Sequence, residues 1–424
     1  MAKDRKIRMA FAGLGGRHHG MLEVLSWTGL ADVVAVCDVY ADRVEYTINK
    51  VKEWYPGVTV HGYTDYKEMF EKEDLEAVYI STSWATHARI AIEAMKHGVM
   101  PAMECGGGNS LEECWELVRT YETTGTECMF LENCCYGREE MTILNMIKHG
   151  YFGEVVHCQG GYEHDLRNEI VYGRERRHYR FGNYLNKCAD FYPAHALGPI
   201  MKFLDINNGN RMLSLTSTAS KAASLHAYLE KERGENYDGT ALKFKEGDVV
   251  STVIKCARGE TILLTHDTSC PRPYSRGGRV QGTGGIWMED NASIYLDGIS
   301  KKAETWEPFQ QYMDDPKYEH PLWTEFRTNG VKGGHGGMDF LVLSAFCECV
   351  KNKLRPPVDV YDAASLMCIT PLTEASISCG SAPVAIPDFT GGRWFEKKTP
   401  VVSKYALDDV YPERYDIKPK EETK

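Results

Sequence analysis

Glycines, imidazoles and carboxylates occur in this sequence at spacings that could support chemistry. Residues 6–20 (KIRMAFAGLGGRHHG) run from an apolar stretch into a glycine cluster. Gly13 permits a tight turn, Gly15 lets the backbone approach a pyrophosphate, and a helix that begins here supplies N–H donors. A second apolar stretch, residues 33–38, ends on Asp38, an acid placed to bind an adenosine ribose and repel a 2′-phosphate. The pattern predicts a dinucleotide site that prefers NAD to NADP.

Polar residues follow three further apolar stretches of the N-terminal part. Trp84-Ala85-Thr86-His87 comes where the nicotinamide end of a dinucleotide would lie, although a purely structural turn explains it equally well. Glu104 with Cys105, and Glu132 with Asn133, follow the next two stretches. A carboxylate at such a position either meets a ligand or caps a helix.

The later part of the chain carries other candidate residues. Tyr192 and His195 lie three apart around Pro193 at a helix start, so both can point at one bound molecule. Tyr274 stands between two arginines in a loop that suits a hydroxyl-rich ligand. His335 lies between two pairs of glycines, which indicates a mobile loop that brings a proton donor to a ligand. A glycine-rich linker with an incidental histidine is the alternative.

The elements that must position these residues divide the chain into two parts and a tail. Short apolar runs alternate with amphipathic stretches up to residue 150, which predicts a doubly wound parallel sheet of the Rossmann type. Its strands are expected at 6–12, 33–38, 58–61, 77–81, 100–104 and 127–131. Residues 151–390 read as an α+β domain with an open, mostly antiparallel sheet. Its strands are expected at 155–162, 212–217, 249–256, 261–266 and 293–296, and its helices at 194–204, 337–352 and 361–379. Residues 391–424 are expected to form a charged C-terminal tail that packs along the surface or crosses back onto the first domain.

Composition narrows the class of protein. The 424 residues carry a net charge of −11, which argues against a nucleic-acid partner, and no apolar run is long enough to cross a membrane. The fourteen cysteines are scattered through apolar segments, so we expect buried, reduced thiols and no metal site. No signal-peptide core precedes the first strand, and we therefore expect a cytoplasmic protein. Self-association stays open.

Taken in order, these residues resemble the glucose–fructose oxidoreductase and inositol dehydrogenase superfamily. The dehydrogenases of that superfamily have Glu-Lys-Pro after the fifth strand, where this chain has Glu104-Cys105-Gly106, and an aspartate where it has Phe191. At both positions the chain resembles one branch of the superfamily, the NAD-dependent α-N-acetylgalactosaminidases of glycoside hydrolase family 109. Further similarity lies in Tyr192-Pro193-Ala194-His195 and in the glycine loop around His335.

The resemblance implies roles for individual residues. Those lining NAD would be Gly16, Arg17, Asp38, Trp84, Ala85, Thr86, His87, Glu104, Cys105 and Asn133. Those contacting the sugar would be Tyr162, Arg180, Tyr192, Ala194, His195 and Tyr274. His335 would be the acid/base.

The resemblance also implies a redox-neutral hydrolysis of N-acetylgalactosaminides, with the α anomer expected. The sugar is oxidised at C3, loses its C2 proton to His195 or Tyr192, eliminates the C1 substituent, adds water and is reduced again. An NAD-dependent sugar or inositol dehydrogenase is the alternative, as is a family member acting on another sugar.

Overall fold

The N-terminal half of the chain alternates strands with helices in this computed structural model, which describes residues 5–234 and 241–407. The strands are β1 (Ile7–Ala12), β2 (Ala31–Cys37), β3 (His61–Tyr63), β4 (Ala77–Ile80), β5 (Met100–Met103) and β6 (Met129–Phe130). The helices are α1 (Gly16–Thr28), α2 (Ala41–Trp54), α3 (Tyr66–Lys72), α4 (Trp84–Lys96), α5 (Leu111–Thr124) and α6 (Arg138–Lys148). All strands pair in parallel in the order β3-β2-β1-β4-β5-β6. This order confirms the predicted doubly wound sheet.

Local sequence explains most of these elements. Strands β1, β2, β4 and β5 are buried almost throughout, as expected for parallel strands covered on both faces by helices. Asp65 and Ser110 cap α3 and α5 by accepting hydrogen bonds from backbone N–H groups of the first turn. Gly29 and Gly125 end α1 and α5 in the left-handed conformation.

The C-terminal half forms a second, nine-stranded sheet. Its strands are β7 (Val155–Glu163), β8 (Met212–Ala219), β9 (Val250–Cys256), β10 (Thr261–Asp267), β11 (Arg279–Gly282), β12 (Gly285–Met288), β13 (Ser293–Leu296), β14 (Glu307–Pro308) and β15 (Val384–Ala385). The order is β14-β13-β12-β11-β7-β10-β9-β8-β15, with β7 and β10 parallel and the other neighbours antiparallel. The mostly antiparallel second sheet is therefore confirmed.

Helices of the C-terminal half connect these strands and cover part of the sheet. They are α7 (Arg167–Val171), α8 (Arg180–Asn186), α9 (Ala194–Phe203), α10 (Ser224–Arg233), α11 (Gln310–Met313), α12 (Pro321–Thr328), α13 (Met338–Asn352), α14 (Val360–Met367) and α15 (Ile369–Ser378). Helix α9 packs on β7, and α13 packs on α1 of the N-terminal half. These two helices carry the C-terminal residues that reach the edge of the first sheet.

The limits of one strand and one helix differ from the sequence prediction, and several short strands were not predicted. The third strand is His61–Tyr63 and not 58–61, because its limits are set by pairing with β2, beginning at Ala35↔His61. The helix predicted over 361–379 is two helices, α14 and α15. Pro371 lacks the N–H that would bond to the carbonyl of Met367, so a single helix is interrupted there. Strands β11, β12, β14 and β15 were not predicted, because each has at most four residues and depends on its neighbours for pairing.

The cysteines are reduced, as expected, and most of them are buried. All fourteen cysteines lie in the described ranges and are free thiols, and all but Cys188, Cys270 and Cys379 are buried.

Of the predicted tail at 391–424, residues 408–424 lie outside the described residues. The part up to 407 runs along the surface and returns to the N-terminal half, where Arg393 pairs with Glu122 of α5. Among the described helices, none combines the length and the apolar character needed to span a bilayer.

Candidate active site

The turn between β1 and α1 leaves an open cradle at the carboxyl edge of the first sheet. Gly13 has a φ of 89°, and a Cβ at this position would lie 2.5 Å from the backbone N of Thr82, so only glycine fits. A Cβ at Gly16 would meet nothing within 4 Å. Helix α1 begins without a side-chain cap at Gly15, which leaves its first N–H groups directed at this space. The cradle fits a dinucleotide pyrophosphate.

Asp38 stands next to this cradle at the end of β2. Its carboxylate accepts hydrogen bonds from the backbone N of Leu14 (2.7 Å) and of Tyr40 (2.9 Å). Arg43 lies 3.8 Å from the same carboxylate. Asp38 is thus fixed in place by the turn that it faces, with lone pairs left for a ribose hydroxyl.

Glu104, at the end of β5, is held by two side-chain donors and by the backbone N of Cys105. Nε of Arg17 and the hydroxyl of Tyr79 donate to its Oε1 at 2.9 and 3.0 Å. Arg17 comes from the first turn of α1, so this ion pair joins the glycine turn to the fifth strand. Both residues are in the predicted set for NAD.

The Trp84–His87 turn opens α4, and its two aromatic side chains, Trp84 and His87, are buried while Ala85 is exposed. His87 Nε2 bonds to the carbonyl of Thr82 at 2.9 Å, and burial lowers the pKa of the ring to about 4. This neutral imidazole stabilises the turn. The indole Nε1 of Trp84 is buried and has no hydrogen-bond partner among the described residues.

His195 and Glu132 form a pair at the end of β6. Nδ1 of His195 lies 2.8 Å from Oε1 of Glu132, which is fully buried. Burial acts to raise the pKa of the Glu132 carboxyl, but the contacts with His195 and with the Cys105 thiol bring it below its ordinary value. The pair can exist because Gly198 of α9 has no side chain, since a Cβ there would lie 2.5 Å from Cγ of Glu132. Nε2 of His195 is left as the nitrogen that can exchange protons.

The thiol of Cys105 completes this group. It donates to Oε2 of Glu132 (3.1 Å) and to the carbonyl of Leu131 (3.2 Å), and burial raises the pKa of the thiol well above its ordinary value. Within the described residues, Cys105, Glu132 and His195 each offer an atom that could bind a metal ion, and these three atoms lie within 4.8 Å of one another. Because these atoms are already joined by hydrogen bonds, the geometry supports proton transfer at His195, and we assign no metal to it.

Aromatic rings surround His195. The ring centroids of Tyr162 and Tyr192 are 4.4 Å apart, and they lie 5.5 and 4.8 Å from that of His195. Tyr274, half-exposed, stands edge-on to Tyr162 at 6.3 Å. Burial raises the pKa of the Tyr192 hydroxyl well above its ordinary value. These side chains form an aromatic wall with neutral hydroxyl groups, suited to a sugar ring.

Arg180 is a buried cation that lies against these aromatic rings. Its guanidinium lies 5.0 Å from the ring centre of Trp84 and 5.3 Å from that of Tyr192. Its Nε lies 2.7 Å from Oε1 of Glu169 in an ion pair, but neither Nε nor Nη1, both buried, has a hydrogen-bond partner within the part of the chain that the structure describes. An unpartnered buried N–H group is costly without a ligand. The buried N–H groups of Arg180 are therefore free to donate to a polar ligand group.

His335 approaches the same region from the glycine loop before α13. Its side chain is 58% exposed, and Nδ1 lies 2.7 Å from Oδ2 of Asp339. Asp339, nearly fully buried, also accepts from both terminal nitrogens of Arg17 (3.0 and 2.8 Å) and from Nδ2 of Asn133 (2.9 Å). Burial acts to raise the pKa of the Asp339 carboxyl, but the bonds from His335 and Arg17 hold it well below its ordinary value.

Residues 174–180, called here the bridging segment, connect the two halves across the cradle. Arg177 donates to both carboxylate oxygens of Asp42 (3.1 and 2.7 Å) and lies over the ring of Tyr40. Arg43 donates to the carbonyl of Arg176. Tyr179 packs on Trp84 with ring centroids 4.7 Å apart. The segment thus contacts both the turn that holds Asp38 and the turn that begins α4.

The structure brings the predicted site residues to one region of the molecule. The glycine turn and Asp38 lie at one end, and the residues around His195 and His335 lie at the other, joined through Glu104, Arg17 and Asn133. Sequence reasoning named Glu132 as an acid that either meets a ligand or caps a helix, and in the structure it also accepts from the backbone N of Cys134. It gave no role to Asp339 or Arg177. Asp339 carries a weak signal, an acid four residues after His335 at a helix start, whereas nothing local marks Arg177.

The fold and the cradle define the class as an NAD-binding oxidoreductase-type protein, and comparisons with known proteins agree. Residues 7–131 match the model of the oxidoreductase family with an NAD-binding Rossmann fold. Among solved structures, a levoglucosan dehydrogenase in complex with NADH and levoglucosan has a TM-score of 0.68 at 13% identity, covering 90% of this chain and all of that one. Myo-inositol 2-dehydrogenase from Lactobacillus plantarum has a TM-score of 0.63 at 15% identity, with the same coverage. These likenesses show the fold.

The family follows from the rest of the chain. Residues 136–396 match the C-terminal domain of glycosyl hydrolase family 109. A glycosyl hydrolase family 109 protein of Stenotrophomonas maltophilia (strain K279a) is 39% identical, covering 97% of this chain and 94% of that protein. An alpha-N-acetylgalactosaminidase of Tannerella forsythia is 37% identical, covering 93% and 88%. The chain belongs to glycosyl hydrolase family 109, and it is a glycoside hydrolase with an NAD-binding Rossmann fold.

Proposed function

We propose that this enzyme hydrolyses α-N-acetylgalactosaminides by a redox-neutral route with NAD held in the cradle. The observation that carries the proposal is the buried Glu132–His195 pair beside the aromatic wall, at the carboxyl edge of the sheet. Two relatives of 35–37% identity bear the name alpha-N-acetylgalactosaminidase, which supports the substrate class. Bound NAD supplies a reversible hydride acceptor for C3 of the sugar.

His195 acts as the base in this proposal. Glu132 holds its Nδ1, so Nε2 takes the C2 proton once C3 is a ketone. Tyr192 was the other candidate base, but the pKa of its hydroxyl is raised by burial, which makes it a hydrogen-bond donor instead. Cys105 occupies the position where the resembling dehydrogenases have a lysine, and its neutral thiol donates to Glu132. Proton removal therefore falls to His195.

His335 acts as the acid. As the C2–H electrons form the C1–C2 double bond, the C1–O bond breaks and His335 gives a proton to the departing oxygen. Water would then add its hydroxyl to C1 and give its remaining proton to His335, C2 would regain its proton from His195, and C3 would be reduced again by the bound cofactor. The net reaction is hydrolysis, with no change in the oxidation state of sugar or cofactor.

Deuterium exchange at C2 tests this function. In D₂O the released sugar is expected to carry deuterium at C2, because the route removes and restores that proton. NADH does not accumulate, in contrast to the result expected of a dehydrogenase. Mass spectrometry of the released N-acetylgalactosamine measures the label. Complete retention of hydrogen at C2 would overturn the elimination route.

NAD is expected to remain with the protein through purification, because a cofactor restored in each cycle has no need to leave. Denaturing the protein should release about one NAD(H) per chain, as measured by chromatography of the supernatant. Asp38→Ala should weaken NAD retention and admit NADP, since Arg43 then lies free to pair with a 2′-phosphate. Asp32→Ala, an exchange near the start of the same strand, is the matched control and should retain NAD. Equal exclusion of NADP by wild type and Asp38→Ala would contradict the role of Asp38.

A further inference from the structure

We propose that Asp339 is the positioning residue of the acid His335 and fixes that acid to the cofactor-binding half of the molecule. This inference rests on the proposed function. It assigns to a residue of α13 a task that neither the glycine loop nor His335 can perform alone.

The loop by itself does not locate the imidazole. His335 has a φ of 50°, and its side chain is 58% exposed, so packing constrains the ring little. Glycines on both sides of it leave the backbone many accessible conformations. Among the described residues, the ring is held by the contact of Nδ1 with Oδ2 of Asp339 at 2.7 Å. Nη1 of Arg17 lies 3.2 Å from the same nitrogen and donates to Asp339, not to the ring.

Asp339 is in turn anchored from the other half of the chain. Arg17, from α1, donates to both of its carboxylate oxygens. Asn133, which follows β6, donates to Oδ1 through its side-chain amide. Only 3% of the Asp339 side chain is exposed. Arg17 also binds Glu104, so a continuous chain of charge-assisted hydrogen bonds runs from the end of β5 to His335. The acid is thereby fixed relative to the strands that flank the cradle.

The Asp339 carboxylate fixes the tautomer and the orientation of the His335 ring. A carboxylate that accepts from Nδ1–H leaves Nε2 as the nitrogen that carries and returns the transferable proton. Without the Asp339 charge the ring can turn or exchange tautomers, and the proton is no longer presented to the leaving oxygen. Steps before departure of the leaving group do not use this proton, so they should continue.

Asp339→Asn separates these effects, because the amide keeps the size of the side chain and loses its charge. Cleavage of a glycoside with a poor alkyl leaving group should fall by about 10²-fold, as expected when much of a general-acid contribution is lost. Cleavage of a nitrophenyl glycoside should fall far less. In D₂O, unreacted alkyl glycoside recovered from the variant should contain deuterium at C2, because proton removal continues while departure of the leaving group is slow.

Glu319→Gln is the matched control. Glu319, like Asp339, is a buried carboxylate held by arginine side chains, in this case Arg138 and Arg327. It should lower the unfolding temperature without distinguishing the two leaving groups. Equal losses for both leaving groups in Asp339→Asn, or no loss, would overturn the inference. If Asp339→Asn does not fold, the ratio is measured on Asp339→Glu, whose extra methylene displaces the carboxylate from Nδ1 of His335 while keeping its charge. The same selective loss on the alkyl glycoside is expected there, and its absence would overturn the inference. Absence of C2 exchange in the wild type would instead count against the proposed function.

Discussion

Replacing His335 with alanine is expected to lower the rate on glycosides with poor leaving groups by about 10²–10⁴-fold, the usual contribution of general acid catalysis. The loss on a nitrophenyl glycoside should be much smaller, since that leaving group departs with little protonation. The side chain is largely exposed, so its truncation leaves the apolar core intact. Measuring kcat/KM across a series of leaving groups of increasing pKa gives the test.

A matched variant exists on α10. His226 is also half-exposed and faces a carboxylate four residues away, Glu230, at 3.6 Å. His226→Ala should change neither the rate nor its dependence on the leaving group. If His335→Ala loses activity equally on all leaving groups, the loop would serve as a binding element and not as an acid.

His195→Ala is expected to slow alkyl and nitrophenyl glycosides alike, by about 10²–10⁴-fold, because removal of the C2 proton precedes departure of either group. Exchange of C2 hydrogen with D₂O should fall in parallel. The variant removes the proton acceptor and leaves Glu132 buried without its imidazole. Rates on both substrates, together with the deuterium content of recovered substrate and product, measure this.

Tyr192→Phe is the companion to this variant, since it removes a hydroxyl and retains the ring that packs 4.8 Å from His195. It should slow both substrates while C2 exchange still occurs. Exchange that persists undiminished in His195→Ala would assign the base to another residue.

The parts of the site that arise from local sequence could be predicted. The turn at Gly13 and the acid at Asp38 each belong to one strand and the turn after it, so a short stretch of sequence contains all their determinants. Tyr192 and His195 share one helix start for the same reason. The alternation of strands and helices likewise made the first sheet predictable, apart from the limits of the short β3.

The pairings that give these residues their chemistry could not be predicted from local sequence. Glu132 and His195 are 63 positions apart, and Arg17 and Asp339 are 322 apart. Each pair forms only because α9 and α13 pack against the first half of the chain. Short strands such as β11 depend on their neighbours for pairing and burial, and their own residues carry too weak a pattern.

The bridging segment has a consequence for the supply of cofactor in the cell. It ties Asp42 and Tyr40 to Arg177, and Trp84 to Tyr179, so NAD held in the cradle as we propose would leave only when these contacts open. Demand for NAD would then follow the number of polypeptides made and not the number of glycosides cleaved. Chains synthesised while the dinucleotide is scarce would stay inactive until it returns.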